Sequence, residues 1–209
     1  MKSKSSIQGI ALMLIALKAP AQVAFTSTGN FDGWIVIFSG QAFGVSWTQA
    51  IPYENVSISV DFTAFGQSAE TGRAFLSTSI GTGASIADQV AYTAFTFPSA
   101  ENDVVLFSGL NLPSGQYYLS LVGDSSSWGS GWIVSDSPTI AIGPGVTLGS
   151  SYGFTSPSLS YLPASSVYDG GSIPNFTVTG TAIPEASTYG IYAAITALLI
   201  AFSKRRNRK

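Results

Sequence analysis

Asn55-Val56-Ser57-Ile58-Ser59-Val60-Asp61-Phe62 alternates apolar and polar residues without a break. A period of two puts Val56, Ile58, Val60 and Phe62 on one face and Ser57, Ser59 and Asp61 on the other, the pattern of a strand with one dry side and one wet side. Gly115-Gln116-Tyr117-Tyr118-Leu119-Ser120-Leu121-Val122 alternates similarly, behind the turn Leu112-Pro113-Ser114-Gly115. Further runs rich in β-branched and aromatic residues lie at 34–38, 43–47, 73–80, 89–97, 104–107, 132–134, 139–142 and 175–179, bounded by Gly, Pro, Asn and Ser. No stretch between them carries a 3.6-residue period with caps. About nine or ten short strands over this length predict one all-β domain at residues 25–180, a two-sheet β-sandwich of jelly-roll, lectin-like type. The Gly/Ser/Pro-rich stretch 143–171 reads as a long loop packed by Tyr152, Phe154, Tyr161 and Tyr168.

Both ends of the chain are of a different character. Met1-Lys2-Ser3-Lys4 is basic, Ile7 to Leu17 is apolar, and Ala19-Pro20-Ala21 offers small residues at a cleavage spacing, with Gln22-Val23-Ala24 as a second option. Residues 1–21 therefore read as a secretory signal peptide, with an uncleaved N-terminal anchor as the alternative. At the other end Ile183-Pro184-Glu185-Ala186 leads into an uncharged run, 186–203, and then Lys204, Arg205, Arg206, Asn207, Arg208 and Lys209. Eighteen helical residues would span roughly 27 Å, close to the ~30 Å hydrocarbon core of a bilayer. The basic block would hold the C-terminus in the cytoplasm and leave the domain on the far side.

This C-terminal arrangement resembles the PEP-CTERM sorting signal of bacterial surface and secreted proteins. The resemblance covers residues 183–209: a Pro-Glu motif at Pro184, Glu185 and Ala186, an apolar helix, and a basic membrane stop at Lys204, Arg205, Arg206, Arg208 and Lys209. The motif departs from the commoner Val-Pro-Glu-Pro, with Ala186 where the second Pro would stand. The resemblance implies recognition by an exosortase-like membrane enzyme, at least transient membrane contact, and release to the cell surface or extracellular matrix. A tail removed in this way leaves no anchor, as with a GPI signal.

With both ends set aside the charge changes. Arg73 is the only basic residue between 22 and 183, against ten acids there, a formal charge of −9 where the whole chain has −2. Such a body repels phosphate backbones, so nucleic acid is not an expected partner. There is no Cys and no His. The ordinary Ser-His and Cys-His couples are excluded, and zinc, copper and haem lose their commonest ligands.

The remaining candidates are few. Gly149-Ser150-Ser151-Tyr152-Gly153 fits G-x-S-x-G but lacks a His base and a strand-turn-helix setting, so it reads as a flexible loop. Gly81-Thr82-Gly83 reads as a turn between strands. Glu54, Glu70 and Glu101 could work as a carboxylate pair on a glycoside only if two of them faced one cleft. Glu101, Asp103 and Asp124 are oxygen ligands for a Ca²⁺ ion, the one cofactor the composition leaves open; otherwise none is expected. Trp128-Gly129-Ser130-Gly131-Trp132 could present an aromatic face to a sugar, with Trp128 and Asp124 as the carbohydrate contacts and Trp132 in the core; Trp34 and Trp47 are expected in the core. The expectation is a non-enzymatic exported protein, structural or adhesive, with weak binding to extracellular polysaccharide. The alternatives are a secreted carboxylate-dependent carbohydrate-active enzyme and a permanently anchored single-pass surface protein.

Overall fold

A computed structural model of the chain describes residues 22–29, 33–64, 70–100, 102–125, 130–135, 137–155, 167–169 and 171–183. The expected signal peptide, the sorting motif, the apolar run and the basic stop lie outside the described residues, as do Trp128 and Glu101. The described chain is all-β. Its thirteen strands are β1 (Gln22–Thr28), β2 (Gly33–Ile37), β3 (Gln41–Gln49), β4 (Tyr53–Ala64), β5 (Thr71–Ser77), β6 (Gln89–Thr96), β7 (Asn102–Leu112), β8 (Gly115–Gly123), β9 (Ser130–Val134), β10 (Thr139–Ile142), β11 (Val146–Thr155), β12 (Val167–Asp169) and β13 (Phe176–Ala182). A single 3-10 turn, Ile86–Asp88, is closed by a capping box between Ser85 and Asp88.

The strands form two antiparallel sheets. Sheet A runs β10-β1-β13-β4-β9-β2, with β7 also paired to β4, and sheet B runs β12-β11-β3-β8-β5-β6. The alternating segment is the middle of β4, whose twelve residues pair with β13, β7 and β9. Val56, Ile58, Val60 and Phe62 are fully buried between the sheets. They meet Phe43, Val45, Trp47, Ala74, Leu76, Leu119 and Leu121 of sheet B in one core, and truncating any one of the buried aromatics would cost about 3–5 kcal/mol. Trp132 is in this core as expected. Its ring meets Phe43 edge-on at 6.3 Å, and its Nε1 donates to the Asn175 carbonyl at 2.7 Å. Trp47 is also buried, stacked on Tyr117 at 5.7 Å.

Three strands lie where none was expected. Residues 143–171 are not one long loop: β11 pairs with β3 along its length and buries Tyr152 and Phe154, and β12 adds an edge. Gly149, Ser150 and Gly153 hid the strand, because a break in register between Leu148 and Ser151 interrupts the alternation. The G-x-S-x-G segment is thus strand, with Ser151 buried. β1 begins at Gln22 and buries Ala24 and Phe25, so a cut after Ala24 would remove the start of a paired strand. At the other end the Ile183 N–H donates to the Pro52 carbonyl at 2.9 Å, which holds the chain to the sheet up to that residue.

Candidate functional site

The alternation that buries Val60 and Phe62 turns Ser59, Asp61 and Thr63 to the outer face of sheet A. Neighbouring strands add their own outward residues: Thr177 opposite Ser59, Thr179 opposite Ser57, and Val105 and Asp103 opposite Ser59 and Asp61. Thr26 joins the ladder, its hydroxyl 3.0 Å from that of Thr177. The result is a face bearing half-buried Ser57, Thr63, Thr177 and Thr179, with Ser59 buried among them and, among the described residues, one exposed aromatic side chain large enough to act as a platform.

That side chain is Trp34, which does not lie in the core. It is 45% exposed. Ile37 of β2 is buried in the core and Ile35 packs against it, so Trp34 between Gly33 and Ile35 must face outward. Gly131 on β9 makes room for it: a Cβ there would lie 2.6 Å from the Trp34 Cβ and 2.8 Å from its Cγ. Gly131, part of the segment singled out from the sequence for Trp128, seats a tryptophan from the next strand.

Trp34 pairs with Ile133, and β9 pairs in turn with β4 at Trp132 and Phe62. Where β9 and β4 separate, Asn175 fills the gap. Its N–H donates to Ile133 O at 2.8 Å, and its carbonyl accepts from the Asp61 N–H at 3.3 Å. Asp61 stands directly opposite Asp103 on β7. Trp34, Ile133, Asp61 and Asp103 therefore lie in one row across sheet A, with the buried Ile133 between Trp34 and Asp61, and with Asp61 about 10 Å and Asp103 about 15 Å from Trp34 at ordinary strand spacing. The carboxylates accept hydroxyl hydrogen bonds, and the indole offers an apolar stacking face.

Among the described residues, those singled out from the sequence are not brought together. Asp124 has both carboxylate oxygens engaged within the protein, Oδ1 by Arg73 Nε at 2.7 Å and Oδ2 by the Thr71 hydroxyl at 2.8 Å. It ties the end of β8 to β5. Asp103 lies on sheet A and Asp124 at the end of a sheet B strand, and Glu101 lies outside the described residues; among the described residues no group of three His, Cys, Asp or Glu side chains could hold a metal. Glu54 sits near the start of β4, and Glu70 follows the connection that leaves its far end, about 30 Å away along the strand. They share no cleft. A shallow hollow of about 250 Å³ beside Tyr53, lined by Pro52, Asn111, Leu112, Pro113 and Ile183, is apolar. Gly81 and Gly83 do form a turn, with φ of 83° and 97°.

The sequence offered one usable signal for Trp34, its place between Gly33 and the Ile35–Val36–Ile37 run, but nothing in it said which face of β2 would be dry.

No protein-family model matches this chain, and no curated protein is recognisably similar to it. Among solved structures the chain is similar to a protein described as "Xyl-CBM35 in complex with glucuronic acid containing disaccharide", at 14% identity and a TM-score of 0.38, over 61% of this chain and 93% of that one.

Proposed function

We propose that the domain is a non-catalytic, exported surface or matrix protein that binds a neutral polysaccharide weakly through the outer face of sheet A. The supporting observation is the row of Trp34, Asp61 and Asp103 on a hydroxyl-rich face. The indole stacks on a sugar ring, and the two carboxylates accept from its hydroxyls. An open sheet face contacts ligand without excluding water, which suits binding and not turnover. The charge narrows the ligand class. With ten acids and one base between residues 22 and 183, and that base already paired to Asp124, acidic glycans are repelled. Delivery follows from the two ends of the chain: a signal peptide at 1–21, and a tail recognised by an exosortase-like enzyme at Pro184, Glu185 and Ala186.

Affinity electrophoresis of the full chain in gels containing neutral polysaccharides tests the binding. The full chain is expected to be retarded, and Trp34→Ala to run free while keeping its unfolding midpoint to within about 1 kcal/mol, as suits a half-exposed side chain. Equal mobility of the two chains in every gel would sink the reading. Release of reducing ends would move it to the enzyme class. Delivery has its own test, intact mass from the native organism: a species lacking Lys204–Lys209 is expected, and a tail retained throughout would leave a permanently anchored protein.

A further inference from the structure

β6 is an outermost strand of sheet B, and among the described residues nothing pairs with its other edge. Its eight residues, Gln89-Val90-Ala91-Tyr92-Thr93-Ala94-Phe95-Thr96, include no charge, no Pro and no Gly. Charges and Pro ordinarily blunt exposed edges; this strand has neither, and its one irregularity, a register break at Val90, lies at its start. Its residues alternate half-buried and exposed along the whole strand, with Val90 40% and Tyr92 46% exposed.

The hydrogen-bond phase says which backbone groups are free for a second chain. The Phe97 N–H donates to Glu70 O, so residues 97, 95 and 93 point their polar groups toward β5. Those of Thr96, Ala94 and Tyr92 then point away from it, and the same three residues carry their side chains on the exposed face. The phase breaks only at Val90, where the pairing steps from Leu76–Ala91 to Ser77–Gln89. The Ala94 carbonyl also receives the Thr93 hydroxyl at 3.2 Å, which leaves its second lone pair.

The geometry points to a second copy of this chain as the occupant of that edge: β6 pairs antiparallel with β6 of another molecule about a two-fold axis at Ala94. The strand is self-complementary in that register. Tyr92 of each copy falls opposite Thr96 of the other, an aromatic against a β-branched side chain, and the small Ala94 side chains meet on the axis. About six backbone hydrogen bonds close the pair, as in β-strand addition. No acid lies directly at the axis among the described residues. Arg73, opposite Ala94 within the molecule, is neutralised by Asp124. Glu70, opposite Phe97, lies about 11 Å from Ala94 at strand rise and spacing, and Asp88 about 20 Å. The inference is independent of the proposed sugar face, which lies on the other sheet. It gives a matrix protein a means of joining its copies edge to edge.

The chain has no cysteine, so a single introduced thiol reports on one contact. The full chain, held in mild detergent so that its apolar tail does not gather copies, is made as Ala94→Cys and separately as Val105→Cys, an exposed control on sheet A. Two residues facing each other across the axis stand about 5.5 Å apart at Cα, within disulfide range. Ala94→Cys is expected to oxidise to a disulfide-linked dimer at least roughly tenfold faster than the control. Ala94→Lys, which brings two ammonium groups together on the axis, is expected to sediment as a monomer at concentrations where the unaltered chain dimerises. Equal oxidation rates for the two thiols, or an unaltered chain that stays monomeric throughout, would overturn the proposal.

Discussion

Tyr152 lies across Gly44, its cross-strand partner on β3, and uses the space where a side chain would stand. A Cβ on Gly44 would come 2.5 Å from Tyr152 Cε2 and 2.6 Å from Cζ. The phenol can then reach across sheet B, donating to the Leu119 carbonyl at 2.9 Å and meeting the Ser120 hydroxyl at 3.1 Å. An aromatic ring laid over a glycine is one way to pin strand register. Here it ties β11 to β3 and β8 and anchors a second apolar cluster of Ala42, Phe75, Val122 and Phe154 on the face of sheet B away from the main core.

Gly44→Ala is therefore expected to destabilise the chain by about 3 kcal/mol, through overpacking at a site with no room to yield. Tyr152→Phe keeps the ring and loses the hydroxyl, and should cost about 1–2 kcal/mol. Urea unfolding monitored by intrinsic fluorescence measures both. A Gly44→Ala midpoint unchanged from the parent would show that the ring does not need the gap. A Cβ on Gly44 would also press on the Leu119 carbonyl, so the double variant Gly44→Ala/Tyr152→Ala relieves only the ring's share of the clash, and its loss should fall short of the sum of the Gly44→Ala and Tyr152→Ala losses while still exceeding that of Tyr152→Ala alone.

Burial pushes the Tyr152 hydroxyl far above its ordinary 10.0, and the Ser120 hydrogen bond pulls it back only partly. Tyr53, Tyr117 and Tyr118 are raised by burial as well. The linkage has one sign for all four. Below the unfolded-state value both states hold the proton, and the stabilisation is intact. Above it the unfolded chain ionises while the folded chain does not, so stability falls as pH rises, by up to about 1.4 kcal/mol per pH unit for the fully buried Tyr152. Urea midpoints between about pH 9 and 11 should drop steeply in the parent and less steeply in Tyr152→Phe. Identical slopes would mean that Tyr152 titrates as freely folded as unfolded.

How much of this was legible beforehand differs by strand. β4 announces itself because Ser57 and Asp61 are half-exposed between the buried Val56, Ile58, Val60 and Phe62; β8 shows the same period in Gln116 and Ser120, although Ser120 is fully buried against Tyr152. β11 is buried without a break from Ser151 to Phe154, and its register break falls among Gly and Ser, so neither period nor composition betrays a strand. The site divides in the same way. Asp124 looked available because a sequence does not say that the lone Arg73 will fold beside it. Trp34 looked internal because tryptophans usually are, and its exposure depends on which side of β2 meets sheet B, a relation set by long-range packing.

Asp61 and Asp103 carry the last test. Like charges directly opposite on paired strands oppose each other, and Asp103 is exposed on β7 with little else to hold it there. Asp103→Asn keeps the shape and removes the repulsion, so the full chain should gain roughly 0.3–0.5 kcal/mol, more at low salt than at high salt because the interaction is screened. If the outer face of sheet A is the sugar-binding face, the same substitution should also weaken retardation in polysaccharide gels, since an amide offers one acceptor oxygen where the carboxylate offers two. A chain that becomes more stable and binds less tightly would identify the pair as kept for its ligand. A stability gain with unchanged retardation would assign binding to Trp34 without Asp103, and a stability loss would show that the carboxylate has a structural partner of its own.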